Sequence, residues 1–115
     1  MNPRQREILE QVVEVLRRRL APRRIYLFGS RAAGRNDEHS DYDLAVEDAR
    51  PDGTTRRLVA EELDVIAGLY HVDVVYLDTV EEDFRGLVLK TGKVIYERRP
   101  GTGPEETRAG GGKTT

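Results

Sequence analysis

Residues 29–43 read GSRAAGRNDEHSDYD, and this stretch decides the fold. The apolar run 25–28 leads into its Gly-Ser pair, and the apolar run 44–46 follows its last aspartate. This order predicts a buried strand, a turn of small residues, and a second strand that begins with Asp41 and Asp43. Residues i and i+2 of a strand point to the same face, so the two carboxylates share one face.

Two carboxylates on one face repel each other, and folding alone gives little reason to place them there. A bound divalent cation removes this objection, because carboxylates and substrate phosphates are the usual ligands of Mg²⁺. Ser30 can cap a short helix over residues 31–34, whose free N–H groups favour an anion, and Gly29 lets the backbone approach a ligand. If the two strands are antiparallel, Ser30 faces Asp41 and Asp43 across a gap that suits a metal-bound triphosphate.

The pattern of Gly-Ser, ten residues and Asp-x-Asp resembles the nucleotidyltransferase signature of the DNA polymerase β-like superfamily. The frame GSRAxG…SDYDL is similar to that of the MNT-type minimal nucleotidyltransferases of bacteria and archaea. It is carried here by residues 29–34 and 40–44, with Ala33 where the family often has Arg. The resemblance covers roughly residues 1–98. It implies a mixed α/β fold, the polymerase β-like nucleotidyltransferase fold, with about four strands flanked by helices.

The rest of the chain alternates between helical and strand patterns. A first helix is predicted to begin at Asn2-Pro3 and to end before Pro22, and a second is predicted to end near Gly68. A third helix is predicted to start with a capping box of Thr79 and Glu82 and to end at Gly92. The predicted strands cover residues 24–28, 41–46, 71–77 and, as a short edge strand, 93–97. Residues 1–98 are predicted to form the nucleotidyltransferase domain, and residues 99–115 a disordered tail.

Asp73 lies near the start of the predicted third strand. A strand, a helix and a further strand normally form a right-handed crossover to a parallel neighbour, which sets the starts of the second and third strands side by side. Asp73 is therefore expected near Asp41 and Asp43. The family has a third carboxylate on such a strand, and Asp73 matches that place.

The resemblance also implies a role for each candidate residue. Asp41 and Asp43 would bind and bridge two Mg²⁺ ions, and Asp73 would complete the site nearest the nucleophile and accept its proton. Gly29 and Ser30 would hold the phosphates of ATP. Arg31 and Arg35 either neutralise phosphate charge or are solvated loop residues, and His39 and His71 are interpreted as residues without a catalytic role.

Composition limits the function classes. The chain has 115 residues, of which 35% are charged and 37% are hydrophobic, and its net charge is −2. The chain has no excess of basic residues, which stable nucleic-acid binding requires. The absence of cysteine excludes disulfides and Cys-based zinc sites. No apolar run reaches the ~20 residues of a membrane span, and the first residues lack the apolar core of a signal peptide. A cytoplasmic location is expected.

Three functions agree with these features. The resemblance implies a protein AMP-transferase that acts as the antitoxin of a small helical HEPN-type toxin and modifies a hydroxyl, most simply that of a tyrosine. A second hypothesis is transfer to a small-molecule alcohol such as an aminoglycoside, although such relatives usually carry a further substrate-binding domain. A third is a non-catalytic antitoxin that acts by binding alone. The three clustered acids argue against this hypothesis, because a protein that only binds gains nothing from them.

Overall fold

A computed structural model describes residues 3–29 and 42–98 of the chain. Its elements, in chain order, are α1 (Pro3–Leu20), β1 (Arg24–Phe28), β2 (Tyr42–Glu47), α2 (Gly53–Ala67), β3 (Val72–Tyr76), a 3₁₀ turn (Leu77–Thr79), α3 (Glu82–Thr91) and β4 (Lys93–Glu97). The predicted order of three helices and four strands is confirmed. The predicted helix cap at Asn2, the short helix over residues 31–34 and the tail over residues 99–115 lie outside the described residues.

The four strands form one mixed sheet in the order β3-β2-β1-β4. β1 pairs antiparallel with β2 on one side and with β4 on the other, whereas β2 pairs parallel with β3. The parallel pair follows from the α2 crossover, as predicted, because a chain that returns through a helix re-enters the sheet in the same direction. The expected edge position of β4 is also confirmed.

The sheet has two unequal faces. The larger core lies against α1 and α2, where a continuous cluster of buried apolar side chains includes Ile8, Leu16, Ile25, Tyr42, Leu44 and Leu63. The smaller core lies against α3 and contains Tyr26, Ala45, Leu77 and Val88. Because side chains alternate along a strand, the residues that follow Tyr42, Leu44 and Val72 point to the α3 side. We call this side of the sheet the α3 face.

Tyr42 fixes the start of β2 on the larger core. Its side chain is fully buried, and its hydroxyl donates a 3.3 Å hydrogen bond to the backbone oxygen of Gln5 in α1. Its ring also meets that of Tyr70 edge to face, with centroids 5.9 Å apart. With Tyr42 held in this direction, Asp43 must lie on the α3 face.

The helix ends explain one success and one error of the sequence analysis. Asp52 caps α2 by accepting a 2.8 Å hydrogen bond from the backbone N–H of Thr55, and Gly68 ends the helix with φ of 64°. The predicted capping box of Thr79 and Glu82 is wrong. Thr79 belongs to the 3₁₀ turn that leaves β3, where its hydroxyl donates to the backbone oxygen of Tyr76 at 2.9 Å. α3 begins after Glu81 without a side-chain cap.

Gly92 ends α3 as predicted, and glycine is required there because the surrounding atoms leave no room for a side chain. Its φ of −73° suits any residue. A Cβ at this position would stand 2.7 Å from the backbone oxygen of Val88 and 3.4 Å from the Cβ of Tyr26. Glycine therefore lets the chain turn tightly from α3 into β4.

Candidate active site

The end of β1 and the starts of β2 and β3 meet at one end of the sheet. Phe28 is the register partner of Asp43 in the antiparallel pair, and Asp43 is the register partner of Asp73 in the parallel pair. Register partners on neighbouring strands share a face and lie about 5 Å apart. The three side chains therefore form a row on the α3 face, with Asp43 between an aromatic ring and a second carboxylate.

Gly29 follows β1 directly and is packed against Asp43. Its backbone has φ of 78°, in the left-handed region that favours glycine. A Cβ built on Gly29 would overlap Oδ2 of Asp43 and stand 3.3 Å from its Cγ. The carboxylate of Asp43 thus occupies the space that a side chain at residue 29 would need.

Asp73 lies at the outer side of the row, and its side chain is 55% exposed. Nε2 of His71 is 2.8 Å from Oδ1 of Asp73. Because an ionised carboxylate only accepts hydrogen bonds, the ring nitrogen must carry the proton and donate it. The backbone oxygen of His71 also accepts a 2.9 Å hydrogen bond from the N–H of Tyr42. His71 therefore connects the strand that carries Asp73 to the strand that carries Asp43.

An aromatic pair borders the inner side of the row. Phe28 on β1 meets Phe84 on α3 edge to face, with ring centroids 5.9 Å apart and an interplanar angle of 81°. This contact joins α3 to the end of β1 and contributes roughly 0.5–1.5 kcal/mol beyond the apolar area that it buries. Asp43 therefore lies beside an apolar wall, which strengthens its electrostatic interactions with a charged ligand.

A groove of about 260 Å³ runs between β3 and α2 and reaches His71 and Asp73. Its far end is formed by Tyr76, whose ring carries the guanidinium of Arg56 at 4.4 Å from the centroid. Burial raises the pKa of the Tyr76 hydroxyl, and the nearby Arg56 lowers it by less. His71 and Asp73 line one end of this groove, at the edge of the sheet.

The structure brings together three of the predicted site residues, Gly29, Asp43 and Asp73. The other predicted site residues, Ser30, Arg31, Arg35 and Asp41, lie outside residues 3–29 and 42–98. Within those two described ranges, no three His, Asp or Glu side chains are grouped closely enough to hold a metal ion. Asp43 and Asp73 are the two predicted metal ligands among the described residues, where they are register partners, and the third predicted ligand, Asp41, lies outside them.

The contact between His71 and Asp73 is not part of the sequence interpretation. The sequence predicts no catalytic role for His71, because no second histidine or cysteine stands at a metal-ligand spacing from it. The useful signal is its position two residues before Asp73 on a predicted strand, since residues i and i+2 share a face.

Comparison with known proteins agrees with this site. The family model described as "Polymerase beta, Nucleotidyltransferase" matches residues 10–100. The chain belongs to this family and is a nucleotidyltransferase, as the motif predicted. Its fold is the polymerase β-like fold, and the resemblance to MNT-type nucleotidyltransferases is confirmed. Enzymes of this family generally use divalent metal ions.

Individual proteins and solved structures to which the chain is similar are more specific than the family model. The chain is 32% identical over 89 residues to the probable protein adenylyltransferase MntA of Haemophilus influenzae. This match covers 76% of the chain and 78% of the relative. The chain is similar to a crystal structure of a toxin–antitoxin with AMP-PNP, with a TM-score of 0.66, 28% identity, and 78% and 73% of the two chains covered. It is also similar to an MNT antitoxin in complex with a tri-AMPylated HEPN toxin of Shewanella oneidensis, with a TM-score of 0.63, 26% identity, and 82% and 73% covered.

Proposed function

We propose that this nucleotidyltransferase moves AMP from ATP to a hydroxyl of a HEPN-type toxin and acts as the antitoxin of that toxin. The observation that carries the proposal is the pairing of Asp43 with Asp73, beside a glycine whose missing side chain leaves room for Asp43. The names of the relatives support it, since one is a probable protein adenylyltransferase and another is solved with an AMPylated HEPN toxin.

The donor set suits a divalent cation. Asp43 and Asp73 are neighbouring carboxylates, which repel each other unless a positive charge lies between them. We propose that they bind Mg²⁺ together with Asp41, which stands two residues before Asp43 and is expected on the same face of the strand. Two bound ions would activate the attacking oxygen and stabilise the leaving oxygen.

The remaining groups would position the reactants. Gly29 and Ser30 would hold the triphosphate through backbone and hydroxyl groups, and Arg31 and Arg35 would offset its charge. Phe28 and Phe84 would limit the access of water to the α-phosphate, because their rings border the row of side chains at Asp43. Exclusion of water favours transfer to the acceptor over hydrolysis of ATP.

Asp73 is proposed as the acceptor of the proton. The acceptor oxygen forms a bond to the α-phosphorus, the bond from that phosphorus to the β-phosphate oxygen breaks, and pyrophosphate leaves. The hydroxyl proton passes to the carboxylate of Asp73, which its exposure leaves open to an incoming side chain. A tyrosine is the proposed acceptor, and its pKa near ~10 means that it must lose its proton as the new bond forms.

The proposed partner is a folded protein in the cytoplasm. Among the described residues, no helix is long and apolar enough to cross a membrane. The net charge of −2 supports a protein acceptor over stable nucleic-acid binding, because phosphate backbones require a basic face.

The test is incubation of the protein with Mg²⁺, ATP and a purified HEPN-type toxin, followed by mass spectrometry of the toxin. We expect an AMP adduct that is lost with Asp43→Asn and with Asp73→Asn. Asp52→Asn is the matched control, because it makes the same chemical change at a helix cap where asparagine also serves.

Two outcomes would overturn the proposal. Neutralisation of the toxin by Asp43→Asn, with no adduct ever detected, would indicate an antitoxin that acts by binding alone. Transfer of AMP to an aminoglycoside or another small alcohol, with the toxin unmodified, would indicate a small-molecule nucleotidyltransferase.

A further inference from the structure

We propose that His71 is a positioning residue for Asp73. In this proposal, which rests on the proposed function, its ring holds Oδ1 of Asp73 so that Oδ2 is directed to the acceptor hydroxyl. The observation is the 2.8 Å contact between Nε2 of His71 and Oδ1 of Asp73 at the reactive end of the sheet.

The contact matters because Asp73 is exposed. Its side chain is 55% exposed, and an exposed aspartate exchanges among staggered rotamers on a short timescale. A hydrogen bond from a ring N–H to a carboxylate at this length is a strong one and favours a single rotamer. A base that is already oriented toward the acceptor loses less entropy when the reaction begins.

His71 is itself held in place by the sheet. Its backbone oxygen accepts the N–H of Tyr42 at 2.9 Å, one residue before Asp43. The side chain of Tyr42 is buried in the larger core and bonded to Gln5. The position of the His71 backbone is therefore tied to β2, so the ring can orient Asp73 relative to Asp43.

The alternative is an ordinary surface ion pair. Such pairs contribute little to stability, and both side chains here are more than half exposed. A merely solvated pair would influence neither the rotamer of Asp73 nor the rate of transfer. The rotamer of Asp73 and the rate of transfer therefore distinguish a positioning role from a surface ion pair without function.

The experiment compares His71→Phe, which keeps a flat ring without the donor, with His71→Gln, which keeps an N–H group near the position of Nε2. The first readout is the χ1 distribution of Asp73, measured in solution from its side-chain scalar couplings by NMR. We expect one dominant rotamer in the natural protein, averaging in His71→Phe, and recovery in His71→Gln.

The second readout is AMP transfer under saturating ATP. We expect His71→Phe to lower kcat by roughly 10–100-fold, as is typical when the partner of a reactive group is removed, with an unchanged melting temperature. His71→Gln should recover most of the loss.

Arg57→Gln is the control, since it breaks another exposed ion pair, with Glu61 at 3.1 Å on α2, and should change neither readout. An Asp73 rotamer and a kcat that are unaffected by His71→Phe would overturn the positioning role. If the natural protein transfers no AMP, the proposed function fails, while the NMR measurement still decides whether His71 orients Asp73.

Discussion

Gly29 and Asp43 share a space that holds only one side chain. The carboxylate of Asp43 lies where a Cβ on Gly29 would stand, and the backbone of Gly29 has φ of 78°. Two independent constraints therefore require glycine at the end of β1. One is the left-handed backbone, and the other is the volume of a carboxylate that the proposed reaction needs.

Replacement of Gly29 by alanine tests this relationship. We expect Gly29→Ala to lower the free energy of unfolding by about 1–3 kcal/mol, because alanine is strained at this φ. AMP transfer should fall more than ~10-fold, since a displacement of about 1 Å at a reactive group has effects of that size or larger. Urea unfolding and the transfer assay measure the two effects.

Gly53→Ala is the matched control for this change. Nothing lies within 4 Å of a Cβ at Gly53, which stands in the first turn of α2. Its stability should be unchanged or slightly higher, and its transfer rate unchanged. Wild-type stability and activity in Gly29→Ala would contradict the packing argument.

Binding of metal and nucleotide should stabilise the protein. A ligand that binds only the folded state adds about 2.7 kcal/mol at one hundred times its dissociation constant. We expect Mg²⁺ with a non-hydrolysable ATP analogue to raise the melting temperature, and Asp43→Asn to abolish most of that rise. Differential scanning fluorimetry with Mg²⁺ alone, analogue alone and both together provides the comparison. An equal rise in Asp43→Asn would exclude Asp43 from the binding site.

Glu47 stabilises the other end of β2 without a role in the site. Its side chain is only 14% exposed, accepts the Tyr26 hydroxyl at 2.9 Å and pairs with Arg24 at 3.2 Å. We expect Glu47→Ala to lower the free energy of unfolding by about 1–3 kcal/mol, because a buried hydroxyl loses its acceptor. Glu97 is the more exposed partner of Arg24, and Glu97→Ala should lower the free energy of unfolding by less than ~1 kcal/mol. Equal losses in the two variants, measured by urea unfolding, would contradict this account.

Acid should weaken the contact between α1 and α2. A hydrogen bond from Arg18, supported by Arg19, holds the pKa of Glu62 below its ordinary value of 4.5. A carboxyl with a lowered folded-state pKa stabilises the protein above its unfolded-state value, and the contribution is lost as the pH falls through the folded-state value. The difference in melting temperature between the natural protein and Glu62→Gln should therefore have its largest value at pH 7 and decrease below about pH 4.5. A difference that is the same at pH 7 and pH 3 would contradict the assignment.

Local sequence determined the elements and much of the site. The apolar runs and their breaks predicted all four strands, because burial on one or both faces imposes a period on the sequence. The pairing of Asp43 with Asp73 was also predictable, since a helix between two strands makes them parallel neighbours. The error at Thr79 arose because a hydroxyl three residues before a glutamate suits a helix cap and a 3₁₀ turn equally well.

The sequence by itself thus determined a nucleotidyltransferase motif, the order of the elements, and the end of the sheet at which its acids stand. Only the tertiary structure decided that the carboxylate of Asp43 fills the space beside Gly29 and that the ring of His71 reaches Asp73. The physical reason is that these distances depend on the register between strands separated along the chain. Register is set by the packing of Tyr42 and its neighbours in the core, which a local period does not encode.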